Sequence, residues 1–126
     1  MNIPADIQYT KDHEWVKIDG DTATIGITDF AQKELGDIVF VEVDTIGDEL
    51  SAGDVFGTVE AVKTVSDLFM PISGTVETFN DSLEDSPEVV NQDPYGEGWM
   101  VKVKVDGEAD AGELLTADQY KEVIGE

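Results

Sequence analysis

Hydrophobic and polar positions alternate with a period of two along most of this chain, in short runs separated by Gly, Asp and Pro. Residues 14–18 alternate, with Val16 and Ile18 on one face and Trp15 on the other. Residues 22–27 alternate again, with Ala23, Ile25 and Ile27 together, and Asp19-Gly20-Asp21 between the runs is a turn signal, so the pair predicts a hairpin. Asp29 followed by Gln32 has the form of a capping box, which predicts a short helix over 30–35 closed by Gly36. Residues 38–43 are nearly all apolar, the signature of a strand buried on both faces. A turn-rich stretch follows at 48–54, and 75–79 forms another strand. In the polar segment 80–93, Ser86-Pro87 reads as an N-cap and N1 pair opening one helical turn over 88–90. The loop 94–98 leads into 99–105, where Val101, Val103 and Val105 face opposite to Lys102 and Lys104 before Asp106-Gly107 turns the chain. Thr116 and Gln119 repeat the capping-box pattern and start a C-terminal helix reaching about Val123. Short strands with marginal helices predict an all-β, or β-rich, domain built as a sandwich or flattened barrel.

The stretch 57–71 stands at the centre of this pattern. Val59, Val62, Thr64 and Val65 are β-branched, Gly57 opens the stretch, and Pro71 with Ser73-Gly74 closes it. Two strands are predicted with Lys63 at or near their bend. Lys63 is the only lysine between Lys33 and Lys102. A lysine at a hairpin tip is ordinarily a solvated charge. It is also a flexible stem ending in an amine that is nucleophilic once deprotonated, held where another protein can reach it.

Charge narrows the partners. Seven basic residues, all lysine, face 29 acidic ones, for a formal net charge of −22 over 126 residues. Nucleic-acid binding needs clustered Lys and Arg to neutralise phosphates, and an anionic membrane surface needs the same, so both are excluded. The expected partners are proteins with basic patches, although solubility or a saline interior would also account for the acidity. The length suits a single domain over 1–126 that buries roughly two-thirds of its unfolded surface. Cysteine is absent, which excludes disulfides and thiolate metal sites. The opening residues lack the pattern of a signal or transit peptide, so a cytoplasmic location is the expectation.

Enzyme motifs are missing. No nucleophile–His–acid pattern surrounds His13, the sole histidine, and no Gly-rich phosphate loop or histidine cluster occurs. His13 reads as a hydrogen-bonded packing residue, and Tyr95, Trp99 and Met100 as core or cleft wall. The acidic clusters Asp19/Asp21 and Asp106/Glu108/Asp110 read as solvated turns ahead of calcium ligands. Asp81-Ser82-Leu83 matches a phosphopantetheine attachment tripeptide, but that carrier is a helical bundle and this chain is β-rich. Biotin carriers place methionines beside their lysine, where this chain has Val62 and Thr64. A lipoyl domain of a 2-oxo acid dehydrogenase would be shorter and attached to others by long linkers.

Five blocks together carry a more specific signal: His13-Glu14-Trp15-Val16; residues 26–32; residues 35–42; the block from Glu60 through Lys63 to Asp67 and on to Pro71 and Gly74; and residues 91–100, including Pro94-Tyr95-Gly96-Glu97-Gly98-Trp99-Met100. In these blocks, which span nearly the whole chain in order, the sequence resembles the glycine cleavage system H-protein family. The resemblance implies a barrel-sandwich hybrid, or flattened β-sandwich, with short peripheral helices and a C-terminal helix. It implies lipoate held covalently as an amide on Lys63, with Glu60 three residues before the lysine and Ser66 and Asp67 three and four after it. It implies no catalytic residues and no metal.

In such a carrier the lipoyl arm accepts an aminomethyl group at the pyridoxal-phosphate glycine decarboxylase. It offers that group to the tetrahydrofolate-dependent aminomethyltransferase and is reoxidised by the FAD enzyme dihydrolipoyl dehydrogenase. A lipoate ligase or octanoyltransferase would install the arm, and the expected state is a monomer. The resemblance also implies that the loaded arm folds into a surface cleft. The matching positions are Glu14 and Asp67, with Asp12 expected on the same cleft. Asp67 has a second expected use, as part of what the lipoylating enzyme reads. Some relatives have histidine near position 34, where this chain has Glu34, so no role of that histidine transfers.

Overall fold

The computed structural model describes residues 3–105 and 114–125. In chain order the elements are β1 (Gln8–Tyr9), β2 (Glu14–Asp19), β3 (Thr22–Ile27), α1 (Asp29–Leu35), β4 (Ile38–Glu42), β5 (Glu49–Leu50), β6 (Val55–Ala61), β7 (Val65–Phe69), β8 (Gly74–Phe79), α2 (Ser82–Asp85), α3 (Val89–Gln92), β9 (Val101–Lys104) and α4 (Ala117–Ile124). Two antiparallel sheets result: six strands in the order β1-β2-β3-β9-β8-β5, and three in the order β4-β6-β7. This is the expected β-rich sandwich with short helices and a C-terminal helix. The expected turn at Asp106-Gly107 and the carboxylates of Glu108 and Asp110 lie outside the described residues.

The core between the sheets collects one face of each alternating run. Val16, Ala23, Ile25 and Ile27 meet Val41, Phe56, Val59 and Leu68 there, with Val76, Val101 and Val103. Leu83 of α2 and Val90 of α3 close one end. A second cluster lies under α4, where Tyr120 stacks on Tyr9 with ring centroids 4.8 Å apart, and Trp15, Ile3 and Ile7 complete it. Trp15 is thus buried on the face opposite Val16, as alternation requires. Its indole N–H donates to the Pro94 carbonyl at 2.9 Å, so the 94–98 loop is tied to β2. The ring lies against Gly26, where a Cβ would meet the indole nitrogen at 2.7 Å.

Three local expectations need correction. The N-cap of α1 is Thr28, whose hydroxyl accepts from Ala31 N–H at 3.1 Å, while Asp29 instead accepts from the Gln32 side chain at 2.7 Å. Ser86 ends α2 and also opens the next turn, its carbonyl accepting from Val89 N–H at 3.1 Å and the Pro87 carbonyl from Val90 N–H at 3.1 Å, but the N-cap of α3 is Glu88 and not Ser86. The third concerns β4, which is not buried on both faces. It is an edge strand, and Val39 and Phe40 are 47% and 45% exposed. A register shift between Ile38 and Phe40 makes Val39 a bulge against β6, so two adjacent apolar side chains both reach solvent.

Candidate functional site

Lys63 sits at the bend between β6 and β7. Ala61 N–H donates to the Thr64 carbonyl at 2.7 Å, which closes a loop of Val62, Lys63 and Thr64. The loop is held from the side as well, because Val62 N–H donates to the Asp37 carbonyl at 3.1 Å. Lys63 is exposed and takes part in none of the ion pairs or hydrogen bonds of the described residues. Its stem leans over Gly36, where an added Cβ would lie 3.6 Å from Cε. Gly36 has φ +82°, a conformation glycine adopts without strain, and lacks a side chain that would crowd the stem.

The segment beneath Lys63 is clamped by Asn91 of α3. Its Oδ1 accepts from Ile38 N–H at 2.9 Å, and its Nδ2 donates to the Gly36 carbonyl at 2.8 Å and to Gln32 Oε1 at 3.0 Å. Asn91 therefore fixes both neighbours of Asp37, whose carbonyl anchors the Lys63 loop.

Beside the tip lies a cleft of about 140 Å³. Asp12, His13 and Glu14 line it from the start of β2, Glu34 and Leu35 from the end of α1, and Ser66 and Asp67 from β7. Gly36, under the Lys63 stem, directly follows the cleft residue Leu35, and the cleft residues Ser66 and Asp67 follow Lys63 in the chain by three and four positions.

Glu14 is the unusual member. Its side chain is 2% exposed, yet it carries a carboxyl group. Oε2 accepts from Phe69 N–H at 2.6 Å, and Thr10 Oγ1 stands 3.5 Å from Oε1. Burial pushes its pKa up to about 8, and the Asp12 charge adds to the rise, against the lowering effect of the Phe69 amide and Thr10. At pH 7 this carboxyl is mostly protonated. His13 precedes it with φ +67°, a left-handed conformation uncommon for a non-glycine residue. That turn is secured by His13 N–H donating to the Thr10 carbonyl at 3.1 Å, and by Thr28 N–H donating to the His13 carbonyl at 3.1 Å. The imidazole Nδ1 lies 2.9 Å from the Tyr120 hydroxyl, itself 2.7 Å from Thr28 Oγ1, and the ring packs on Phe30 at 4.8 Å. Burial lowers its pKa. His13 is thus the hydrogen-bonded packing residue expected, and it ties the turn before Glu14 to α4.

Of the residues singled out in the sequence, Asp12, Glu14, Ser66 and Asp67 come together on the cleft, and Lys63 lies over Gly36, the residue after the cleft-lining Leu35. Glu60 does not join them; it faces outward from β6, between Phe40 and Val65 in the neighbouring strands. Glu14 is buried, so the alternative of a solvated charge at a strand end is set aside. Tyr95 and Trp99 pack against the second cluster and Met100 is buried in the first, so all three are packing and none lines the cleft. Thr10, the Phe69 amide, Glu34 and the Asn91 clamp were not foreseen. Glu14 and Phe69 are 55 residues apart and Asn91 and Ile38 are 53 apart, distances across which periodicity carries no signal. Among the described residues no group of three or more side chains is placed to hold a metal ion, and no helix is long and apolar enough to cross a membrane.

The likeness to known proteins covers this whole arrangement. The family profile of the glycine cleavage H-protein matches residues 7–126. The glycine cleavage system H protein of Chlorobium limicola is 62% identical over 128 residues, and that of Staphylococcus haemolyticus 58% over 126, each covering all of both chains. The crystal structure of a glycine cleavage system H protein from Mycobacterium marinum superposes with a TM-score of 0.90 at 43% identity, covering 98% of this chain and all of the other. With fold, order of blocks and full-length identity in agreement, the chain belongs to the glycine cleavage H-protein family, the lipoyl-carrier component of the glycine cleavage system and not itself a catalyst.

Proposed function

We propose that Lys63 is the attachment point, holding lipoate as an amide on Nζ, and that the neighbouring cleft receives the arm when it is loaded. The observation that carries this reading is an exposed lysine, with no ion pair or hydrogen bond among the described residues, on a doubly braced hairpin tip that leans over Gly36, next in the chain to a cleft lined by carboxyl groups. The residues fit the group: the stem is free, Gly36 leaves room beside it, and the cleft opens within reach of Ser66 and Asp67. Lipoate supplies a disulfide that opens reductively as the aminomethyl cargo is taken up. Acylation removes the lysine charge, taking the formal net charge from −22 to −23.

The chain's own part is to discriminate cargo from no cargo. With no cation in the cleft, Glu14 keeps its proton at neutral pH. Ionising a carboxyl of pKa about 8 at pH 7 costs about 1.4 kcal/mol. An ammonium 4 Å away offers up to ~4 kcal/mol at an effective dielectric of 20. The attraction exceeds the ionisation cost, so a cationic cargo turns Glu14 into a carboxylate and is held by it. Its proton leaves to solvent, and Asp67 and Asp12 add to the field. An empty arm offers no such exchange. Ser66 presents a hydroxyl at the same rim, while Glu60, on the outer face, is available to the lipoylating enzyme.

The partners in this reading are the glycine decarboxylase, the aminomethyltransferase and dihydrolipoyl dehydrogenase, with a lipoate ligase or octanoyltransferase upstream. The chain acts as one carrier domain in the cytoplasm. The test is reconstitution with the decarboxylase, following exchange of labelled bicarbonate into the glycine carboxyl group. Exchange is expected with the lipoylated chain and lost in Lys63→Arg, and Glu14→Gln with Asp67→Asn shortens the lifetime of the carried group. Full exchange in Lys63→Arg overturns the assignment.

A further inference from the structure

The exposed side of the β4-β6-β7 sheet carries apolar residues for which the fold itself has no use. Cα partners run Phe40, Glu60, Val65 straight across the three strands. Partners in one row share a face, and Val59 and Ala61 on either side of Glu60 point into the core, so this row faces solvent. Val65 is 60% exposed and Val62, in the Lys63 loop, is 76% exposed. The bulge that turns Val39 outward beside Phe40 lies in the same corner. Other exposed apolar residues, such as Ile18 and Val123, are scattered singly, which is ordinary for a soluble protein. An apolar patch on an edge strand is an aggregation liability, and its retention marks an interaction surface.

The place of the patch selects its occupant. Lys63 Nζ extends only roughly 6 Å from its Cα by standard bond lengths. An enzyme acylating that amine must bring its own reacting centre that close, and so must cover the loop and the rows beneath it. Enzymes that serve the end of a long arm can stand further off. Asp37, Glu42 and Glu60 are exposed around and within the patch, and the chain's net charge is −22. A second copy of this chain would meet like charge, whereas a basic rim would meet its complement.

We propose that Phe40, Val65, Val62 and Val39 form the docking face for the enzyme that acylates Lys63, a partner presenting an apolar socket ringed by lysine or arginine. The inference rests on Lys63 being the attachment site. With the partner seated, Nζ as free amine attacks the carbonyl carbon of an acyl adenylate made from lipoate and ATP. The new C–N bond replaces the acyl–phosphate C–O bond, AMP departs, and the amine proton passes to solvent.

The test uses the unmodified full chain, purified lipoate ligase, lipoate and ATP, with acylation followed by mass spectrometry. Phe40→Thr and Val65→Thr place a strand-compatible β-branched side chain at each position and remove apolar area. Each is expected to lower kcat/KM about tenfold, mainly through KM, as truncation of an interface anchor does. Ile18→Thr and Val123→Thr, outside the face, stay within twofold of the parent, and thermal midpoints of all four stay close to it. Raising the salt concentration lowers kcat/KM of the parent by screening the carboxylate ring. Parent-like kinetics in Phe40→Thr and Val65→Thr overturn the docking face while leaving Lys63 in place. A sedimenting dimer that Phe40→Thr dissolves overturns it in favour of self-association. A parent chain acylated elsewhere than Lys63 overturns the underlying assignment instead.

Discussion

Replacing Glu14 by Gln separates the burial of this residue from its charge. The amide is nearly isosteric, so its oxygen can still accept from Phe69 N–H, and its NH₂ can donate to Thr10 Oγ1. What changes is the proton. In the unfolded chain the carboxyl titrates at the ordinary value of 4.5, and in the folded chain at about 8. Between these values the folded state holds a proton that the unfolded state has released. Stability from this group is therefore fully present below pH 4.5 and is lost as pH rises through 8. At pH 7 the gap of 2.5 units above the unfolded value amounts to about 3 kcal/mol of lost stability at ~1.4 kcal/mol per unit. Glu14→Gln should then be more stable than the parent by about 3 kcal/mol at pH 7, and by more at pH 9, with little difference at pH 4. Urea denaturation of both proteins across that range measures the difference directly. A Gln variant no more stable at pH 7 than at pH 4, relative to the parent, would mean that the carboxylate is already ionised and solvated. The discrimination assigned to Glu14 would fall with it. The same variant should hold cargo less long, so stability and cargo retention move in opposite directions.

Two further predictions address the frame around the site. Asn91→Ala removes the partners of Ile38 N–H and the Gly36 carbonyl and should destabilise the chain by roughly 2–3 kcal/mol, with faster hydrogen exchange at the Val62 amide than at the β2 and β3 amides; uniform acceleration across the chain would show that the clamp has no special link to the Lys63 loop. Gly26→Ala places a methyl group where the Trp15 indole lies and should break the bond from Trp15 to Pro94, costing roughly 2 kcal/mol in urea melts and red-shifting tryptophan emission, while unchanged emission and stability would refute the close packing.

Much of the fold was legible because alternation works where one face of a strand is buried and the other wet. Val101–Lys104 followed it throughout and Thr22–Ile27 over its first four residues, while in Gly74–Phe79 a bulge between Val76 and Thr78 leaves Glu77 and Thr78 both exposed. The same logic failed at Ile38–Glu42 because an apolar run looks alike whether it packs against a second layer or waits for a partner. Helix starts were misplaced by a residue at Thr28 and by more around Ser86, since neighbouring residues in both places have capping side chains and only geometry chooses between them. Around the candidate site, the position of Lys63 at a hairpin bend was readable from the β-branched residues flanking it, and the gathering of Asp12, Glu14 and Asp67 on one cleft was expected only through the family resemblance. The protonated state of Glu14 was not readable, because it depends on burial against β7 and on the Phe69 amide. The Asn91 clamp was hidden for the same reason: three hydrogen bonds converge from elements that only folding brings together.

The most direct measurement is the mass of the full chain purified from lipoate-replete cells, followed by peptide mapping. A lipoyl increment confined to the peptide containing Lys63, and absent from Lys63→Arg, is the predicted result. An unmodified Lys63 alongside an increment elsewhere, or a biotin or phosphopantetheine increment in its place, would contradict the account.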